Sequence, residues 1–339
     1  MTTPIDVGKK EVLVRFLTEQ QIFGTKPPGG VYIRYFEGGV SATVALAALG
    51  GQAVIVKQAL AKLKVEADWT CSQDRMAIEQ KALETYAQLV PDKVPLPLCY
   101  DRENYIMVRQ AAPESCATWK EQLLSGLLDF EIARKAIDAL VVIHNQTAGQ
   151  ADIAHAFADS RFFRDLRISP YIENVAEKHP QIADLAKEVV TQLLTERICL
   201  THGDYSPKNI LVDARNIFIL DYEVSYYGHP GFDVAFFTNH FLLKAIKNRS
   251  WSESYLNMLL YMTDRYFGAV DMMDAAMLEA QTIRVLGLLL LARVDGKSPA
   301  EYITKEEDKR AVRSLALEIC AVQPHTYAEL VQLFRTHVL

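Results

Sequence analysis

The stretch His202-Gly203-Asp204-Tyr205-Ser206-Pro207-Lys208-Asn209, followed after an apolar segment by Asp221-Tyr222-Glu223, gathers oxygen donors at a spacing that can do chemistry. Residues 209–213 and 216–220 read as two strands around a tight turn at Ala214-Arg215. Antiparallel pairing about that turn sets Asn209 opposite Leu220, one residue from Asp221. Asp204 lies on the loop feeding the same end of the hairpin, so three hard oxygen donors converge. Phosphoryl transfer needs such a set. Mg²⁺ takes a few protein oxygens and completes its shell with water and phosphate. A separate carboxylate must orient the attacking hydroxyl and receive its proton. Asp204 is the candidate for that carboxylate, Asn209 and Asp221 for the Mg²⁺ ligands, aided by Glu223. His202 would brace the loop, and Lys208 could meet charge developing on the transferred group. A surface hairpin with incidental polar residues would not require this joint spacing.

The run HGDYSPKNILV…ILDYE resembles the phosphotransferase branch of the protein-kinase-like fold, which holds aminoglycoside phosphotransferases, choline kinases and methylthioribose kinases. Tyr227-Gly228-His229-Pro230-Gly231-Phe232-Asp233-Val234-Ala235 is similar to the same group's G-x-P-x-F-D-x-A pattern. The resemblance implies that Asp233 supports the catalytic loop rather than reacting. It also implies an ATP- and Mg²⁺-dependent kinase acting on a hydroxyl of a small molecule. A sugar-like metabolite is the first expectation, with an aminoglycoside or an amino alcohol such as choline next. The competing class is a pseudokinase that binds nucleotide without transferring phosphate, but Lys57, Asp204, Asn209 and Asp221 are all present.

The elements that must carry these residues divide the chain. Residues 31–35 alternate as a strand does, and Val54-Ile55-Val56 is a short buried-strand run. Between them stand Gly38, Gly39 and Ser41, on a turn whose N–H groups could contact phosphate. A helix is expected over 74–90, ending before Pro91, then a strand at 105–108, then mainly helix. The fold class is therefore α+β: a small antiparallel-sheet lobe over 1–109 and a larger, mainly helical lobe over 110–339, with a hinge near 108–113. Backbone groups at Gln110 and Ala112 would bind adenine there.

A kinase-like site also needs a cation on the α- and β-phosphates and a carboxylate to aim it. Lys57 ends an apolar strand similar to the VAIK-type strand. Met76, Leu83, Tyr86, Ala87 and Val90 form an apolar stripe on the following helix, and Glu79 falls within it whereas Glu84 points away. An acid on such a stripe needs a partner, so Glu79 is paired with Lys57. The KQAL segment at Lys57, the loop containing Trp69 and the Asp74-Arg75…Glu79 helix start resemble methylthioribose kinases in particular. Trp69 is then a lid over the nucleotide or a packing residue. Arg284, on an apolar helix, is an acceptor ligand or a structural ion pair.

The bulk properties narrow the partners. A formal net charge of −6 over 339 residues opposes nucleic acid or an anionic membrane as the main partner. Cys71, Cys99, Cys116, Cys199 and Cys320 form no metal-binding spacing and read as reduced thiols. The amino terminus lacks an apolar h-region, and the run 285–294 is broken by Arg293 and too short to span a bilayer. A cytoplasmic protein is expected.

Overall fold

The computed structural model describes residues 5–24, 30–36, 42–60 and 72–339. The chain divides into two compact units, Met1–Cys116 and Ala117–Leu339. This division falls a few residues beyond the 109/110 join read from the sequence. The reason is local: Gln110 still belongs to a strand, and the Ala111 N–H donates to Ala53 O at 3.0 Å, keeping the chain tied to the sheet past 110.

In the first unit, helix α1 (Lys10–Glu19) precedes strands β1 (Tyr32–Tyr35), β2 (Ala42–Leu49) and β3 (Gln52–Ala59). Helix α2 (Arg75–Leu89) and strands β4 (Pro97–Asp101) and β5 (Ile106–Gln110) follow. The sheet is antiparallel throughout, in the order β1-β2-β3-β5-β4. Leu13, Phe16 and Leu17 of α1 pack with Ala45, Ala47, Val54, Val56, Ile106 and Val108 on one face. Because strand side chains alternate, Val54 and Val56 point into this core while Lys57 takes the opposite face. Lys57 sits in register between Val44 and Met107 on the central strand.

The second unit opens with β6 (Ala117–Thr118), α3 (Trp119–Leu124) and α4 (Phe130–Thr147). Next come α5 (Ala151–Ala156) and one continuous helical segment: α6 (Arg161–Phe163), a π-helical stretch Arg164–Glu173 and α7 (Asn174–Lys178). Helix α8 (Ala183–Thr195) leads into β7 (Cys199–Thr201), β8 (Ile210–Val212), β9 (Ile217–Ile219) and β10 (Tyr226–Gly228). The remainder is helical: α9 (Gly231–Lys247), α10 (Ser252–Phe267), α11 (Ala275–Asp295), α12 (Glu306–Val322) and α13 (Tyr327–Val338).

Helix α9 is the axis of this unit, buried from Gly231 to Ile246 beneath α10, α11 and α12. Its apolar residues run all round, as a fully enclosed helix requires. Among the described residues, α11 is the one helix long and apolar enough to cross a membrane, and most of its apolar window is buried inside this unit.

Candidate active site

The loop between β7 and β8 carries residues 202–209, and its shape follows from two anchors. Asp233, in the first turn of α9 and fully buried, accepts the His202 N–H at Oδ2 (2.6 Å) and the Gly203 N–H at Oδ1 (2.8 Å). The His144 ring lies 3.2 Å from the same Oδ2. Gly203 adopts φ +74°, and a Cβ there would come within 2.6 Å of Val224 O, so only glycine fits. The structural role implied for Asp233 corresponds to these two bonds.

His202 is buried, and burial pushes its pKa below the usual histidine value. A neutral ring has one donor and one acceptor nitrogen. Nε2 lies 3.1 Å from Leu220 O and must donate, so Nδ1 accepts the Asp204 N–H at 3.2 Å. The ring thereby ties the loop to the end of β9. Tyr205 adds a bond from its hydroxyl to Ala136 O of α4 at 2.6 Å.

The hairpin holds the expected register. Ile210 pairs with Ile219 and Val212 with Ile217, and the Leu220 N–H donates to Asn209 O at 2.8 Å. Asn209 Nδ2 donates both to Asp204 O (3.0 Å) and to Asp204 Oδ2 (2.7 Å). Its amide nitrogen is thus turned toward Asp204, leaving Oδ1 as the lone-pair end. Asp221 stands in the left-handed region at φ +69°, where a non-glycine residue is strained. A carboxylate oxygen of Asp221 lies within 4.8 Å of one of Glu223. Asp221 and Glu223 could hold Mg²⁺ with the Asn209 amide oxygen as a further donor, since hard oxygens are the ligands that ion prefers. Lys208 is exposed, one residue before Asn209.

Sequence reasoning missed Arg167. Its Nη2 lies 2.9 Å from Asp204 Oδ1, and its Nε donates to Gly203 O at 2.7 Å. Burial opposes the charge on this guanidinium, yet Asp204 foremost, with further help from Tyr171, Glu223 and Asp221, holds its pKa above the ordinary arginine value. The two Asp204 oxygens therefore have separate partners, Arg167 and Asn209. Arg167 comes from the π-helical stretch, which contains Pro170 and therefore lacks one helical N–H. The available signal was an arginine between Leu166 and Ile168 on a proline-interrupted helix.

In the first unit, Lys57 Nζ lies 2.7 Å from Glu79 Oε2 and 2.9 Å from Oε1, with both residues buried. At the end of β5 the Gln110 N–H donates to Leu96 O and the Ala111 N–H to Ala53 O. Of the expected adenine contacts, the Gln110 N–H is thus already committed, while the Ala112 N–H has no partner among the described residues. Gly38, Gly39, Ser41 and Trp69 lie outside the described residues. Arg284, on α11, ion-pairs with Glu188 of α8 and lines a surface groove with Ala280, Gln281 and His325. Near the same helices, Trp251 is exposed, and the buried Tyr255 donates to Leu123 O.

The profile of the phosphotransferase enzyme family matches residues 33–260. The methylthioribose kinase of Bacillus mycoides is 28% identical over 244 residues, covering 64% of this chain and 62% of that protein. The chain therefore spans about three fifths of the curated relative it matches. The choline kinase of Cryptosporidium parvum superposes with a TM-score of 0.55 at 10% identity, covering 97% of this chain and 96% of that one. The amicoumacin kinase hAmiN, solved with AMP-PNP, Ca²⁺ and its ligand, gives a TM-score of 0.53 at 12% identity over 95% and 97% of the two chains. These two likenesses concern the fold.

Proposed function

The chain belongs to the phosphotransferase enzyme family, and on that premise we propose that it transfers the γ-phosphate of ATP to a hydroxyl of a small, sugar-like molecule. The observation that carries the proposal is Asp204, held by separate partners on its two oxygens and presented by a loop anchored to Asp233. Asp204 orients the acceptor hydroxyl and takes its proton. Asn209, Asp221 and Glu223 would hold Mg²⁺, whose charge offsets that of the phosphates. Lys57, fixed by Glu79, binds the α- and β-phosphates, with Lys208 available to the transferred group. Backbone at 110–112 would meet the adenine, the Ala112 N–H being the open donor. The kinase names of the relatives, and the ATP analogue bound by the amicoumacin kinase, support ATP as donor.

The test is ADP release from ATP and Mg²⁺ across sugars, aminoglycosides and amino alcohols. Acceptor-dependent release that stops when Mg²⁺ is chelated is expected. Nucleotide binding with no release for any acceptor would favour the pseudokinase instead.

A further inference from the structure

Behind Asp204 the second unit holds cations that loop 202–209 does not account for. Helix α9 presents Phe236, His240 and Lys244 at four-residue spacing, hence along one face. Lys244 is fully buried, and among the described residues no carboxylate lies within ion-pairing distance of its ammonium. Its one hydrogen bond runs to His240 O at 3.3 Å, and its Nζ stands 4.9 Å from the Tyr302 ring centre. Arg293, from α11, is 7% exposed; its Nη1 donates to Ser298 O at 2.7 Å and reaches Tyr171 OH at 3.2 Å, while Nε has no partner.

Contacts run from these cations to the catalytic loop without a break. The Arg167 and Arg293 guanidiniums each lie 5.9 Å from the Tyr171 ring centre. Arg167 also lies 5.5 Å from the Phe236 ring, which packs 5.7 Å from His240, and His240 Nδ1 is 3.2 Å from Tyr302 OH. Lys120, on α3, closes the group and is paired with Glu301. Once Asp204 is paired with Arg167 and Glu301 with Lys120, Lys244 and Arg293 are left without an ion-pair partner of their own among the described residues, and Glu301 is the one carboxylate there whose charge is felt by both.

A buried unpaired ammonium is costly, and such a group is retained where a ligand completes it. Amino sugars and quaternary amines carry the wrong sign for this buried cationic group. We propose that the acceptor is an anionic polyol, a sugar acid or a sugar phosphate, whose carboxylate or phosphate is bound by Lys244 and Arg293 while its hydroxyl meets Asp204. This rests on the kinase reading above and narrows its substrate class. Burial foremost, then Lys120 and Arg293 against the opposing pull of Glu301, sets the Lys244 pKa down at about 7, so an arriving anion would also restore its charge.

The test compares D-ribose, D-gluconate, D-ribose 5-phosphate, D-glucosamine and choline as acceptors by ADP release, and the same compounds by thermal shift without nucleotide. D-Gluconate or D-ribose 5-phosphate should show kcat/KM at least tenfold above D-ribose, with D-glucosamine and choline lowest; which of the two wins separates carboxylate from phosphate. Lys244→Met and Arg293→Gln should each raise KM for the anionic acceptor tenfold or more while changing kcat less than threefold, a split that general misfolding does not produce. Preference for D-ribose, D-glucosamine or choline would overturn the proposal and leave the kinase standing. So would a change in anion KM below threefold in both variants. If no acceptor is phosphorylated, the kinase reading fails, and the thermal shift still decides the anion site. A rise in Tm with either anion that is lost in Lys244→Met supports it, and no rise overturns it.

Discussion

At the scale of single residues, Arg167 is the side chain whose removal separates this account from a generic one. It contacts Asp204 through one nitrogen and Gly203 O through another, so both charge and shape matter. Arg167→Met leaves the Asp204 carboxylate without its cation, and loss of one partner of a largely buried pair costs about 3–5 kcal/mol. Thermal unfolding should show that loss, and Arg167→Lys should recover only part of it, with kcat still reduced. Wild-type kcat in Arg167→Lys would show that the two-pronged contact is unimportant. Asp204, Asn209 and the Lys57–Glu79 pair were legible in the sequence because each is fixed by spacing within one strand, loop or helix face. Arg167 was not, because its partner lies 37 positions away and nothing in a π-helical stretch repeats at a readable period.

Among the elements, the loop between β7 and β8 depends on a backbone conformation as much as on side chains. Gly203→Ala would place a methyl 2.6 Å from Val224 O at φ +74°. The cost expected from the conformation alone is about 1 kcal/mol, and the clash adds to it. Chemical denaturation should show a clear loss, and activity should fall with it as the loop leaves Asp233. An unchanged midpoint would mean that the loop relaxes freely. The hairpin register followed from turn chemistry, since a two-residue turn leaves one pairing that keeps Ile210, Val212, Ile217 and Ile219 buried together. Element ends were less legible. The strand expected at 105–108 runs instead over Ile106–Gln110, because Tyr105 takes a positive φ that strand pairing excludes, while pairing with β3 continues to Gln110.

For the molecule as a whole, overall charge and local charge point in opposite directions. The chain carries a net −6, yet the buried group around α9 is cationic. Composition averages over the surface and cannot report such a cluster, but a lysine inside the apolar run of α9 was a local sign of it. Lys244 sets a stability term with a definite sign. Its pKa falls from 10.5 to about 7 on folding, so the folded state disfavours the proton that the unfolded chain keeps. The destabilisation is fully present below pH 7 and is relieved as pH rises from 7 toward 10.5. Lys244→Met should therefore raise Tm, by a margin largest at or below pH 7, where the term amounts to a few kcal/mol at most, and smaller near pH 10. A lower Tm at every pH would show that the ammonium is satisfied in the fold.

In the proposed reaction the Asp204 carboxylate accepts the proton of a hydroxyl as it is phosphorylated. The most direct measurement is acceptor-dependent ADP release by Asp204→Asn beside the unaltered protein, with ATP binding followed in parallel. Turnover should fall about 10²- to 10⁴-fold, the usual contribution of a positioned general base, while ATP still binds. Turnover within a few-fold of the unaltered protein would contradict it.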